Sequence, residues 1–228
     1  MKIPYSPSDP SSIRLLFTRI AQNYDLTNHV ISLGLDTVWR KKFARHFHTR
    51  WRIADVCCGS GAMFPLLKDR ILCGLDFTHA MLQVAASRYP RARLAEGDAQ
   101  KIPFLSSTFD AITIVYSIRN IPDVPAALKE LFRILQPGGT LGILDFGVPE
   151  NKFLEKLYLL YFKKIMPYVG SWVARDKSSY HYFVNSVVSF PKREAFLDWM
   201  GAAGFQNCRF HEYTAGAALA YLAEKPIY

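Results

Sequence analysis

The stretch Ile53-Ala54-Asp55-Val56-Cys57-Cys58-Gly59-Ser60-Gly61 decides the reading of this chain. A short apolar run carries an acid near its end and passes into a turn with two glycines. A turn without bulky side chains lets backbone N–H groups approach a ligand closely. The next apolar run, Ile71-Leu72-Cys73-Gly74-Leu75, stops at a second acid, Asp76. In doubly wound nucleotide folds a carboxylate at that place accepts hydrogen bonds from a ribose diol.

Outward from this stretch, apolar runs alternate with helical patterns. Strands are expected at Arg52–Val56, Ile71–Leu75, Arg93–Ala95, Ala111–Tyr116 and Thr140–Phe146. Helices are expected at Gly61–Lys68, His79–Arg88 and Val124–Leu135, with turn chemistry at Gln136-Pro137-Gly138-Gly139. The alternation predicts an α/β fold: a Rossmann-like, seven-stranded, mostly parallel sheet with helices on both faces. Two last runs, Asn207–Tyr213 and Ala217–Glu224, flank Thr214-Ala215-Gly216 and read as an antiparallel C-terminal hairpin closing the sheet edge. Near the start, Ile13, Leu16, Phe17 and Ile20 recur at helical spacing, with Ser11 or Ser12 as the cap. The expected organisation is one domain. It has a helical N-terminal cap over residues 1–50, a core over 51–148, a lid insertion over 149–190 and the closing hairpin over 191–228.

Composition sets outer bounds. The chain has 228 residues, half of them hydrophobic, which suffices for one sizeable core. Its net charge of +9 favours an anionic partner without choosing among nucleic acid, membrane and acidic substrate. Cys57, Cys58, Cys73 and Cys208 form no C-x-x-C pair and read as small apolar residues in a reducing compartment. The histidines make no metal-ligand pattern; His46-x-His48 alone is the spacing of a solvated pair. Residues 1–7 show no apolar leader, and no stretch is long and uncharged enough to span a bilayer.

The glycine turn lacks the third glycine of a dinucleotide site, because Phe64 stands there. The pattern D-x-x-x-G-x-G, with an acid ending the second strand, resembles class I S-adenosylmethionine-dependent methyltransferases. That resemblance implies S-adenosyl-L-methionine as cofactor, held by Asp55, Gly59, Ser60, Gly61, Asp76, Asp98, Ala99 and Val115. Asp98 would meet the adenine amino group; a plain helix N-cap is the rival reading.

Longer motifs narrow the family. Phe17 to Asn28, Ser32-Leu33-Gly34, Trp39-Arg40, Arg119-Asn120 and Arg133 to Gly139 resemble the ubiquinone/menaquinone biosynthesis C-methyltransferases. Ser179-Tyr180-x-Tyr182, Ser186, Phe190-Pro191, Ala203-Gly204-Phe205 and Thr214-x-Gly216 continue the likeness, over roughly residues 14–225. Departures are Thr27, Asp36, Ser117, Gln136 and Asp145-Phe146-Gly147, the last in place of E-x-S. The resemblance implies methyl transfer to a ring carbon of a polyprenylated quinol, 2-demethylmenaquinol ahead of the ubiquinone precursor. An RNA methyltransferase on the same fold and an inactive binding protein are the competing classes.

Making a ring carbon nucleophilic requires removing a phenolic proton. Arg119 is the candidate for steadying the phenolate and Asn120 for orienting the quinol. Asp98 would act as base through a water, and Tyr24 and Tyr180 would bond ring oxygens, with His181 a weaker relay candidate. The rival reading of Arg119 is a salt bridge to an acid such as Asp123. Leu154, Leu157, Tyr158, Tyr161, Phe162 and Ile165 form an apolar helical stripe beside Lys152, Lys156, Lys163 and Lys164. It reads as a lid helix, and as one that contacts membrane lipid if it roofs a path for the prenyl tail. The expected setting is the cytoplasm, peripheral to the inner membrane face, with a homodimer as one open assembly and no nucleic-acid partner.

Overall fold

The computed structural model describes residues 10–67, 71–162 and 177–227. Its centre is a seven-stranded sheet of β1 (Arg52–Val56), β2 (Ile71–Asp76), β3 (Arg93–Glu96), β4 (Phe109–Val115), β5 (Leu135–Phe146), β6 (Gln206–Tyr213) and β7 (Ala218–Glu224). Their spatial order is β3-β2-β1-β4-β5-β7-β6. The first five are parallel; β7 runs antiparallel to β5, and β6 antiparallel to β7 at the edge. The expected mixed sheet and C-terminal hairpin are therefore present, with Thr214, Ala215 and Gly216 all left-handed in the connecting turn.

Helices α1 (Pro10–Ile20), α2 (Tyr24–Ile31), α3 (Leu35–Ala44), α4 (His79–Arg88), α5 (Val124–Ile134), α6 (Lys152–Leu160), α7 (Lys177–Ser189) and α8 (Glu194–Ala202) complete the described fold. The central strands are apolar because both faces are covered. On one face, Leu128 and Leu131 of α5 and Phe196 of α8 pack against Ile112 and Tyr221. On the other, Trp39, Phe43 and Phe47 pack against Ile53, Leu144 and Leu222. Asp123 caps α5 by accepting the Ala126 N–H at 2.9 Å. Strand order reverses at β1, since β2 and β4 lie on its two sides, and a ligand crevice opens at the carboxyl ends of such strands.

Four local expectations need correction or refinement. Gly61–Lys68 is not a helix: only the single 3-10 turn Phe64–Leu66 forms, with Pro65 at its start, and Lys68 lies outside the described residues. Proline removes a donor there, and the short link to β2 leaves no room for several turns. Ser11 and Ser12 lie inside α1 rather than before it. Gln136–Gly139 falls within the span of β5 as an irregularity: Phe109 pairs with Leu135 and Ala111 with Thr140, so the four residues between bulge out. The insertion helix is α-helical over Lys152–Leu160, and its stripe is split. Tyr158, Tyr161 and Phe162 pack inward, while Leu154 and Leu157 stay exposed. Residues 1–9, Lys163, Lys164 and Ile165 lie outside the described residues. No helix among the described residues is long and apolar enough to cross a membrane.

Candidate active site

The glycine turn is tied to the end of β2. Asp76 accepts the Gly59 N–H on Oδ2 and the Thr78 N–H on Oδ1, each at 2.9 Å. The Cys58 N–H donates to the Leu75 carbonyl at 2.9 Å. Gly59 has φ +54°, in the left-handed region that glycine occupies without strain. Cys57 and Tyr116 are also left-handed although they carry side chains, and each directly follows a strand, β1 or β4. Strained backbone of this kind gathers at sites held by their surroundings.

A cavity lies above this turn. Its wall includes Tyr24, Gly59, Asp76, Asp98, Ala99 and Asn120, six of the residues expected from sequence. Ile13 and Phe17 of α1 close it from the N-terminal side. Five expected residues do not line this cavity. Asp55 is buried in β1 and accepts the Thr113 hydroxyl at 2.7 Å. The Ser60 hydroxyl turns to the Asp25 carboxylate, at 2.7 and 2.8 Å. Gly61 (φ +80°) packs under Phe64 and Tyr89, where a Cβ would come within 3.0 Å of both rings. Val115 is buried in the core on the α3 side. Arg119 faces β5.

Asp98 is exposed and accepts the Gln100 N–H at 2.8 Å in a local turn. It caps no helix, which removes that rival reading. Asn120 accepts a hydrogen bond from the Tyr182 hydroxyl at 3.0 Å. Arg119 is 4% exposed and is ion-paired with Asp145, not Asp123. Its guanidinium also donates to the Tyr116 carbonyl at 2.8 Å and to the Ser186 hydroxyl at 3.2 Å. Phe146 and Phe183 hold it at 5.4 and 5.1 Å from their ring centres. The side chains of Tyr180 and His181 lie outside the described residues.

Sequence reasoning missed three residues here. Asp25 binds Ser60 and the Arg88 guanidinium, clamping α2 onto the glycine turn and α4. Asp145 entered only as a departure from the family pattern, yet it is the counter-ion of Arg119. Tyr182 positions Asn120. Nothing local marks any of the three, because each partner is remote in sequence.

Beside the cavity runs an apolar groove, open to solvent. Ile31, Leu35 and Trp39 form one wall; Leu157, Tyr158 and Phe162 form another, with Phe146 at its floor. Phe146 packs on Arg119, and Ser117 and Asn120 line the cavity. The Ser117–Asn120 turn thus stands between the cavity that holds Asp76 and Asp98 and the oily groove.

Burial raises the pKa of Asp55 to about 7, against the pull of Thr113, and that of Asp76 to about 6, against the N–H groups of Thr78 and Gly59. Burial also pushes Tyr24 up, opposed by Asn28, Arg119 and Arg40.

The model of the ubiE/COQ5 methyltransferase family matches residues 7–225. The chain belongs to the ubiE/COQ5 methyltransferase family. Among similar proteins, the demethylmenaquinone methyltransferase of Chlorobaculum parvum is 34% identical over 224 residues, covering 94% of this chain and 93% of the relative. The ubiquinone/menaquinone biosynthesis C-methyltransferase UbiE of Geotalea daltonii is 35% identical over 226 residues, covering 93% and 96%. A solved SAM-dependent methyltransferase from Thermotoga maritima shares the fold at TM-score 0.70 and 21% identity, covering 93% of this chain and 99% of that one.

This ubiE/COQ5 methyltransferase is therefore an enzyme that uses S-adenosylmethionine. The lining fits that donor: the Asp76 carboxylate and the side-chain-free turn at Gly59 face the cavity. The donor supplies a methyl group already activated on a cationic sulfur.

Two predictions follow from the charges. Asp55 and Asp76 hold protons more tightly folded than unfolded, so the stability they contribute falls as pH rises from about 4 to about 7. A cationic ligand favours their ionised forms, so donor affinity rises from about pH 5 to about pH 8. Calorimetric titration across that range checks this, and a flat profile refutes it. Asp145→Asn leaves the Arg119 guanidinium buried without its counter-charge, and we expect a loss of about 3–5 kcal/mol in denaturant unfolding.

Proposed function

We propose that this enzyme methylates a ring carbon of a polyprenylated quinol, with 2-demethylmenaquinol as the acceptor that becomes menaquinol. One observation carries the reading: the Ser117–Asn120 turn lies between a donor cavity that holds Asp76 and Asp98 and an oily groove suited to an isoprenoid tail. The relatives named demethylmenaquinone methyltransferase, from two Chlorobaculum species and Staphylococcus aureus, support that acceptor. The Geotalea relative carries ubiquinone in its name as well, so the methoxy-benzoquinol of ubiquinone synthesis is the second acceptor to test.

In this reading Asp76, Asp98 and Ala99, with the turn at Gly59, hold the donor, and Asp55 adds negative charge from beneath. Tyr24 and Asn120 orient the quinol head group at the cavity wall. The ring hydroxyl gives up its proton through a water to Asp98, and Arg119, buried behind the wall on Asp145, Ser186 and the Tyr116 carbonyl, holds the Ser117–Asn120 turn in place without touching the ring. Asp145 balances that guanidinium, so the dry interior holds no lone cation. The ortho carbon then takes the methyl group, and the ring hydrogen leaves as a proton to restore aromaticity. Alignment of carbon, methyl and sulfur is the main work of the walls, an effect worth up to about 7–11 kcal/mol in intramolecular models. The acceptor reaches the groove from a membrane surface, past the exposed Leu154 and Leu157 of α6.

A methyl-transfer assay offering both reduced quinones with short prenyl tails tests the reading. We expect faster turnover of the demethylmenaquinol. Arg119→Lys, which keeps a charge but loses the planar fork, should lower kcat by about 10²–10³ with the KM for the donor nearly unchanged. Methylation of neither quinol refutes the proposal.

A further inference from the structure

One surface has no part in the chemistry above. A strip of cations starts at the groove and runs down the outer side of α3. Lys41, Lys42, Arg45, His46 and His48 are all exposed, and so are Arg209 and His211 on β6. Arg209, His211 and Tyr213 alternate with Phe210 and Glu212, so they share the face of β6 that meets α3. The Lys42 ammonium lies 5.8 Å from the Tyr213 ring centre. The imidazoles of His46 and His211 stack at 5.4 Å with a 14° tilt.

The charges around His46 are His48 on its own segment and His211 and Arg209 from β6, all basic or neutral; together with burial they push its pKa down. Among the described residues no carboxylate pairs with Lys41, Lys42 or Arg45. Arg209 approaches Glu224 only at 3.8 Å, and Glu212 is engaged with Arg193 on the opposite face. Uncompensated like charges repel, and an anionic partner relieves them.

The strip is continuous with the groove. The Trp39 Nε1–H donates to the Thr214 hydroxyl at 2.9 Å, pinning α3 to the hairpin turn that lines the groove. Around the mouth stand leucines in water: Leu33 is 72% exposed, Leu157 55% and Leu160 51%. Oily side chains beside unpaired cations match a bilayer with anionic headgroups, whereas a nucleic acid offers nothing for the leucines.

We propose that the α3–β6 strip and the groove rim form one docking face for a bilayer containing anionic phospholipid. The cations rest on headgroup phosphates while the leucines enter the acyl boundary, so the groove opens into the layer that holds an isoprenoid substrate. Docking rests on the quinol reading only for what enters the groove. Contact with phosphate also favours protonation of His46, which burial and its basic neighbours otherwise oppose, so binding strengthens at acid pH.

The test is flotation of the full chain with phosphatidylcholine vesicles, with and without phosphatidylglycerol. We expect binding to the mixed vesicles alone, weakened by salt. Lys41→Glu/Lys42→Glu/Arg45→Glu should lower partitioning by about 100-fold. That variant should keep its melting temperature and its turnover of a short-tailed quinol in detergent. Leu157→Glu should weaken binding at any salt concentration, and His46→Gln/His211→Gln should abolish the gain at acid pH. Equal binding to both vesicle types, or a triple charge variant that binds like the parent, overturns the proposal. So does tighter binding to homopolymeric RNA than to the anionic vesicles. Failure of the parent enzyme to methylate either quinol in detergent would instead sink the substrate reading and leave the docking result standing.

Discussion

A guanidinium and a carboxylate held out of water join the two halves of this molecule's working end. Arg119 leaves the turn after β4 and Asp145 stands near the end of β5, so their pairing locks two neighbouring parallel strands at their carboxyl ends. Ser186 and Phe183 bring α7 onto the same guanidinium, and Phe146 brings the floor of the groove. Neither charge is tolerable there alone, and each becomes tolerable through the other. Burial still lifts the Asp145 carboxyl above its ordinary range against the pull of Arg119. The pair therefore stands as a poised electrostatic element between cavity and groove, not as a surface ornament.

Around it the donor cavity is assembled from parts that belong to different layers. The sheet provides Asp76 and the glycine turn, while the N-terminal helices provide Tyr24, Phe17 and the clamp through Asp25. Asp25 reaches both the glycine turn and Arg88 of α4, so the cap helices are fastened to the core at the place where a ligand would be enclosed. Enclosure matters because a cation sealed in nearby draws the two buried acids, Asp55 and Asp76, further toward their ionised forms. The same low-dielectric setting that raises their pKa values strengthens their attraction for a sulfonium.

Much of this was legible in the residues. Short apolar runs marked β1, β2 and β4 within a few positions, and β4 is rich in β-branched side chains, because a strand covered on both faces has little place for polar groups. The glycine turn and Asp76 were legible because backbone approach and carboxylate placement demand those residue types locally. Other expectations failed where the decisive term was not local. The helix expected after Gly61 yielded to Pro65 and a short connection. The rival reading of Asp98 as a helix cap fell because its carboxylate closes a turn onto Gln100. Asp123, the nearest acid to Arg119 in sequence, caps α5, and Asp145 on the adjacent strand takes the arginine instead.

Residue order alone carried the strand–helix alternation, the donor turn with its acid, and the family to which the chain belongs. The first two depend on side-chain periodicity and on backbone preferences that act over a few residues; the third rests on the likeness of several separate motifs to one family. Folding in three dimensions chose the partners: Arg119 with Asp145, Ser60 with Asp25, Asn120 with Tyr182, α3 with β6. Those pairings follow from which strands lie side by side and which helix crosses them, and such neighbours are set by burying one shared core, not by any short segment of chain.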